Sequence, residues 1–295
     1  MNRTTMTKSS NKSPVTFKPV RFLCVAGAML LSLSTDVAFG KPALGKSWSA
    51  SGQVSMDQID HSAFDALLHK YVDADGYVDY RSWYRSSADR RALRNYLGQL
   101  SRASTRKSAT QNARLAFWIN AYNAVTLEGI MQVYPTDSIR NHTARVFGYN
   151  IWKELPLRVG SGQYSLEQME HQILRKMGEP RIHFAIVCAS VSCPRLRNEA
   201  YTAARVRTQL AANATDFFSR RQNFRVSGNT MYVSSILDWF ADDFGNSQSA
   251  RFRYLKPYLP KSAQSLATRS GTRVSYLDYD WGLNDQSKKR RTASR

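Results

Sequence analysis

The sequence predicts an α+β fold, with helices packed on a small, mainly antiparallel sheet in a single domain. Two observations carry this expectation. Helical periodicities outnumber strand-like runs, and the recognisable strand pairs, closed by the glycine turns near 160–162 and 227–229, are hairpins. No internal repeat interrupts the chain.

The first residues are set apart from the fold. Residues 1–21 carry Arg3, Lys8, Lys12, Lys18 and Arg21 and no acid, and an apolar run, FLCVAGAMLLSLS, follows. Small residues at Ala38 and Gly40 then precede Lys41. Basic, apolar, small is the order of a secretory signal, so 1–40 is expected to be removed and the mature chain to be periplasmic or secreted. The apolar run is shorter than the roughly 20 residues a spanning helix needs, so no transmembrane segment is expected after cleavage. Cys24 opens that run instead of closing it and does not suit lipid attachment.

What remains is about 255 residues, enough for one core of ordinary size. It keeps 37 Lys and Arg against 21 acids, a charge of about +16. Such a charge favours anionic envelope components as neighbours. No aromatic-studded basic motif of the RNA-recognition type is present, and nucleic acid is set aside.

Residues 41–56 read as a linker, and 57–286 as the domain. From Gln58 a helix is expected, with Phe64, Leu67, Leu68 and Tyr71 on one face. DADGYVDY breaks it. The acids suggest a calcium loop, but the glycine stands fourth instead of sixth and no closing glutamate follows, which favours a solvated turn. ADRRALRNYLGQL gives a second helix. The third and longest runs from about Asn112 to Val133 and stops before Pro135. Within its apolar surface lie Asn120 and Asn123, three apart and beside Ala116, Ala121 and Ala124. Buried amides need partners, so this pair is either a structural hydrogen-bond device or part of a site.

IWKELPLRVGSGQYSL reads as a hairpin. Ser165 then caps a helix, with Gln168 completing a capping box. Glu170 falls inside its stripe of Leu166, Met169, Ile173 and Met177, and a carboxylate there is paired or has a shifted pKa. His171 sits on a neighbouring face with Glu167 and Arg175, at the rim. Arg181 to Cys188 alternates as a β run, which puts Arg181 and His183 on one face and Cys188 on the other. A helix through 202–220, a hairpin through 224–234, a helix from Ile236, a last strand from Arg273 and a disordered basic tail, 287–295, complete the chain.

AFWINAYNAVTL, EHQILR, RIHFAIVCASVSCPRL, WFADDF and YLDYDWGLN, in this order, resemble the exported bacterial branch of the domain-of-unknown-function family 547. The resemblance runs from about Phe64 to Asn284. It fixes no activity, because the family has none settled. The matching positions are Asn120, Asn123, Glu170, His171, Arg181, His183, Cys188, Cys193 and Pro194. The order helix, sheet, histidine-bearing strand is also similar to papain-like and transglutaminase-like folds. Those place a nucleophilic cysteine at the start of the core helix, where this chain has none, so the analogy concerns fold alone.

Four readings of the Cys188–Cys193 region follow. The first is a thiol-dependent hydrolase or acyl transferase. Cys193 attacks, His183 takes the thiol proton, and Glu170 or Asn120 orients the imidazole; Cys188 belongs mostly to the core. The second is a disulfide, which an oxidising compartment permits. The third is a zinc site from His171, His183, Cys188 and Cys193, weakened by the lack of a close pair such as C-x-x-C. The fourth is a non-catalytic binding or scaffold module, in which Arg181, Arg197 and the basic surface hold an anionic ligand or partner. The enzyme reading is carried forward with the binding module as its alternative, Asn123, Arg181, Cys188 and His171 serving as ligand contacts. No motif calls for a cofactor or a metal.

Overall fold

The larger apolar cluster of the fold is arranged around α4, Gln111–Val133. Thr110 caps it, its hydroxyl accepting the Ala113 N–H at 3.2 Å. Every residue from Leu115 to Met131 is buried, the mark of a helix enclosed on all sides. Small residues let neighbours approach its backbone. A Cβ on Gly129 would fall 2.8 Å from the Ile151 side chain, so glycine there admits α5, Ile151–Glu154.

The computed structural model describes residues 43–143 and 150–293, and the expected signal peptide at 1–40 lies outside them. The stretch read as a linker is pinned where it is described. Leu44 bridges Leu157 and Val54 bridges Ala103. Helix α1, Ser62–Tyr71, buries the expected Phe64, Leu67, Leu68 and Tyr71. The DADG segment is a turn in which Gly76 takes φ +84° and Asp73 accepts the N–H groups of Asp75 and Tyr77, each at 2.9 Å. A short helix, α2 (Tyr80–Arg85), precedes α3, Ser87–Leu100, which corresponds to the second expected helix.

The class is α+β, with two small sheets. Strands β1 (Leu157–Val159) and β2 (Gly162–Tyr164) form one antiparallel hairpin, and β3 (Phe224–Ser227) and β4 (Thr230–Ser234) another. Strand β5, Arg273–Leu277, joins β4 in parallel, with Tyr232 opposite Ser275. The long excursion from β4 to β5 makes a parallel pairing possible, and no hairpin signal in the sequence announces it.

Helix α6 spans 166–177. It opens with the expected capping box between Ser165 and Gln168, widens into a π turn over Met169–Leu174 and tightens over Arg175–Met177. The π turn shifts the register, so that Leu174 is fully buried in the core while Ile173 packs against it only partly buried. Helices α7 (Val206–Ser219), α8 (Ile236–Trp239), α9 (Ala241–Phe244) and α10 (Gln248–Leu255) follow, and Phe240 breaks the helix expected from Ile236.

Two expectations are corrected. Arg181 to Cys188 is not a strand. Pro180 starts a 3-10 turn through Phe184, capped by the Glu179 side chain, and the chain then runs irregularly. Its backbone groups are satisfied by amide side chains in place of a neighbouring strand. Asn213 donates to the Phe184 carbonyl at 2.8 Å, and Asn123 serves Ala185 and Val187. The alternation that separated His183 from Cys188 therefore does not apply. The basic tail is likewise not irregular from 287: α11 covers Gln286–Ala293, with Lys288 paired to Asp137 and Lys289 to Asp73 and Asp75.

The core forms a large apolar cluster around α4 and a smaller one around Phe184, Phe217, Phe218 and Val233. Among the described residues, no helix is long and apolar enough to cross a membrane.

Candidate functional site

Asn123 holds the segment that carries the histidine and the cysteines, and Asn120 holds the chain that follows it. Asn120 donates to the Tyr201 carbonyl at 2.8 Å and accepts the Tyr201 N–H at 2.9 Å. Asn123 donates to the Ala185 carbonyl and accepts the Val187 N–H, both at 3.0 Å. Each amide grips backbone as a strand edge would, and helix-poor asparagine is tolerated here because its partners lie off the helix. Neither lines the cavity, so Asn120 does not orient the histidine as expected.

Where this segment meets α4, α6 and the stretch after β5, it borders a cavity of about 170 Å³ that opens to solvent. Tyr122, Trp152 and Tyr279 stand in its wall with Trp239, Phe240 and Trp281. Trp239, Tyr279 and Trp281 form a cluster with ring centroids 4.5–5.7 Å apart. Trp239 stays 48% exposed and so marks the mouth. Glu170, His183, Cys188 and Cys193 also line the cavity, so the structure brings four of the expected site residues together.

His183 is buried, with its ring stacked on Phe240 at 4.0 Å. Its Nε2 donates to Asp243 Oδ2 at 2.7 Å, which leaves Nδ1 as the acceptor nitrogen. Arg175 holds the same carboxylate in a fork, Nε to Oδ2 at 2.7 Å and Nη2 to Oδ1 at 2.8 Å. Burial pushes the His183 imidazole down to about 4 against the pull of Asp243, so the ring is neutral near pH 7. Burial pushes the Asp243 carboxyl up, but the hydrogen bonds from Arg175 and His183 outweigh it and keep the acid ionised. The residue that orients His183 is thus Asp243.

Glu170 sits in the π turn of α6, where the widened helix turns it toward α4. Burial raises its carboxyl to about 7, and the Tyr122 hydroxyl donates to Oε2 at 3.2 Å. The expectation of a shifted acid on a buried stripe is met. His171 is exposed and accepts from Arg175 at 3.0 Å, a rim position.

Cys188 and Cys193 are joined by a disulfide. The Tyr279 hydroxyl stands 3.3 Å from each sulfur. Between them Ala189 takes a left-handed backbone at φ +57°, which costs a non-glycine residue about 1–3 kcal/mol, and its carbonyl accepts the Asn284 N–H at 3.1 Å. Among the described residues His183 makes no hydrogen bond to either sulfur. The four donors considered for zinc are each otherwise engaged: the sulfurs with each other, His183 with Asp243, and His171 with Arg175.

Arg181 lies outside the cavity, bound through Nε and Nη2 to Glu179 at 2.7 Å, while Arg207 reaches the same carboxylate at 2.6 Å. Arg197 is turned to Glu199 and Asn213. The site residues that sequence reasoning passed over are Asp243, Tyr122, Tyr279 and the tryptophans. For Trp239, Asp243, Tyr279 and Trp281 the signal was the density of aromatics in WFADDF and YLDYDWGLN; Tyr122 and Trp152 lie outside both stretches.

Residues 106–218 match the model of a family described as protein of unknown function, DUF547. That span contains Asn120, Asn123, Glu170, His183 and both cysteines, whereas Asp243, Trp239, Tyr279 and Trp281 lie beyond it. No curated protein and no solved structure matches the chain.

Proposed function

We propose that this member of the DUF547 family is a binding module that takes a small ligand into the aromatic cavity. It works outside the cytoplasm after loss of 1–40, for which the basic, apolar, small order of that segment is the support. The observation that carries the reading is the cavity itself. At about 170 Å³ it slightly exceeds the ~150 Å³ that accommodates benzene in an engineered protein cavity, so it takes a group of ring size. Its walls are aromatic, and its reactive groups are committed elsewhere. A thiol active site needs a nucleophile in hydrogen-bond contact with its base. Here the His183 proton goes to Asp243, and the sulfurs are bonded to each other. The basic surface acts separately, drawing the module toward anionic envelope components by its field.

The indole N–H signals of Trp152, Trp239 and Trp281 provide the test. One-ring and branched-alkyl probes, charged and neutral, should shift these three signals selectively. If no probe moves them at millimolar concentration, the cavity is not a binding site.

A second reading rests on one observation, that Cys193, His183 and Glu170 line the same cavity. After reduction, Cys193 would attack an ester carbonyl while His183 Nδ1 accepted the thiol proton and passed it to the departing alcohol, with Asp243 orienting the ring; water would then hydrolyse the thioester and restore the thiol. That reading requires ester turnover that appears with reductant and disappears in Cys193→Ser. Under the binding reading, no such turnover exists.

A further inference from the structure

We infer that the ligand class of this cavity is a small organic cation with a quaternary or branched ammonium head, held against the Glu170 carboxylate within the aromatic cage. The inference rests on the reading of the cavity as a binding site and adds the charge of what it binds.

Charge comes first. The lining contains one carboxylate and neither Lys nor Arg. Outside the lining, the Arg175 guanidinium is held in its forked contact with Asp243, and that of Arg140 lies over the Trp281 ring. An anion entering the cavity would meet Glu170 with no cation in the lining to offset it.

Hydrogen-bonding capacity narrows the class further. A sugar or other polyol needs many polar partners, and three of those present are already engaged. His183 Nε2 serves Asp243, the Tyr122 hydroxyl serves Glu170, and the Tyr279 hydroxyl is surrounded by Ser190 and the two sulfurs. One Glu170 oxygen accepts from Tyr122; the other makes no hydrogen bond among the described residues. What remains is aromatic surface around a carboxylate oxygen, the chemistry that recognises ammonium groups. The same rings already attract cations from outside, Arg140 over Trp281 at 5.2 Å and Arg175 over Phe240 at 5.4 Å.

Binding should follow the ionisation of Glu170. Burial raises that carboxyl to about 7. The Tyr122 hydroxyl on α4 and Arg175 on α6 pull it down, and Asp243 on α9 pushes it up. Tyr279, after β5, also stands near it and is a neutral phenol throughout the range of interest, since burial raises its pKa. Burial holds His183 near 4, so it stays neutral between pH 5.5 and 8.5, and Glu170 alone among these groups changes charge there.

Calorimetric titration with choline and with its neutral isostere 3,3-dimethylbutan-1-ol tests the inference on the full folded protein. At pH 8.5 choline should bind about tenfold or more tightly than the alcohol. Between pH 8.5 and 5.5 its affinity should fall roughly thirtyfold, the change in the ionised fraction of an acid of pKa about 7. Glu170→Gln should remove the choline preference and its pH dependence while keeping weak binding of the alcohol, which shows the cavity intact. Equal binding of both probes to the wild type would leave the cavity as a binding site and overturn the cation inference, as would choline affinity unchanged in Glu170→Gln. Binding of neither probe would overturn the inference and the binding-site reading together.

Discussion

Replacing Asn120 by leucine tests the role of the paired asparagines. The two residues are close in shape, but leucine can neither donate to the Tyr201 carbonyl nor accept the Tyr201 N–H, contacts now made at 2.8 and 2.9 Å. Asn120 is 1% exposed, so water cannot replace either contact without opening the core. Each buried backbone group left unpaired costs about 1–3 kcal/mol, partly offset by the apolar gain of leucine. A net loss of about 3 kcal/mol is expected, which in a domain of this size lowers the unfolding midpoint by roughly 6–12 °C. Urea unfolding at pH 7, followed by tryptophan fluorescence and by far-ultraviolet dichroism, measures it. Asn123→Leu should lose a similar amount, since it holds Ala185 and Val187 in the same manner. An Asn120→Leu protein as stable as the wild type, or more stable, would refute the reasoning.

Glu170 should carry a stability cost that depends on pH. The unfolded carboxyl ionises near its ordinary value of 4.5, whereas burial lets the folded one keep its proton up to about 7. Between those values unfolding releases a proton, so native stability falls as pH rises, with a full cost of about 3 kcal/mol above pH 7. Glu170→Gln, which retains an acceptor for Tyr122, should therefore be more stable than the wild type at pH 8 and equal to it at pH 4.5 in thermal unfolding; a pH-independent difference contradicts this. Reducing the Cys188–Cys193 bridge opens a short loop, five residues in separation, and should destabilise by about 2 kcal/mol. The double variant Cys188→Ser, Cys193→Ser should show no response to reductant, and a response there would mean that the effect lies elsewhere. Intact mass of the exported form should show a chain beginning at Lys41, and a membrane-bound species retaining Met1 would overturn the expected cleavage.

Helices α1, α3, α4 and α7 and both hairpins were legible because periodicity and turn residues report burial on one face. The segment after Pro180 was not. RIHFAIVC alternates like a strand, yet what it lacks is a neighbouring strand, and its backbone partners are amides on α4 and α7. A sequence shows that Asn120 and Asn123 need partners, but not which backbone they will grip. Glu170 was readable as a buried acid because the helical stripe fixes its face. Asp243 was not, because Asp242 stands beside it with the same chemistry, and only the fold leaves one side chain 95% exposed and the other 19%. The aromatic wall was hidden for a similar reason. Trp152, Trp239 and Trp281 come from three distant segments, and no local period joins them.

On the binding reading His183 serves Asp243 beside a binding cavity and activates no thiol. The most direct measurement is the alkylation rate of Cys193 at pH 7 after reduction, compared between the wild type and His183→Gln, which keeps a donor for Asp243. Cys193 should react at a rate typical of an ordinary thiol of pKa about 8.5, the same in both proteins within a factor of about two. A Cys193 alkylated about tenfold or more faster than Cys188 in the wild type, and slowed to an ordinary rate in His183→Gln, would contradict it and restore the thiol enzyme.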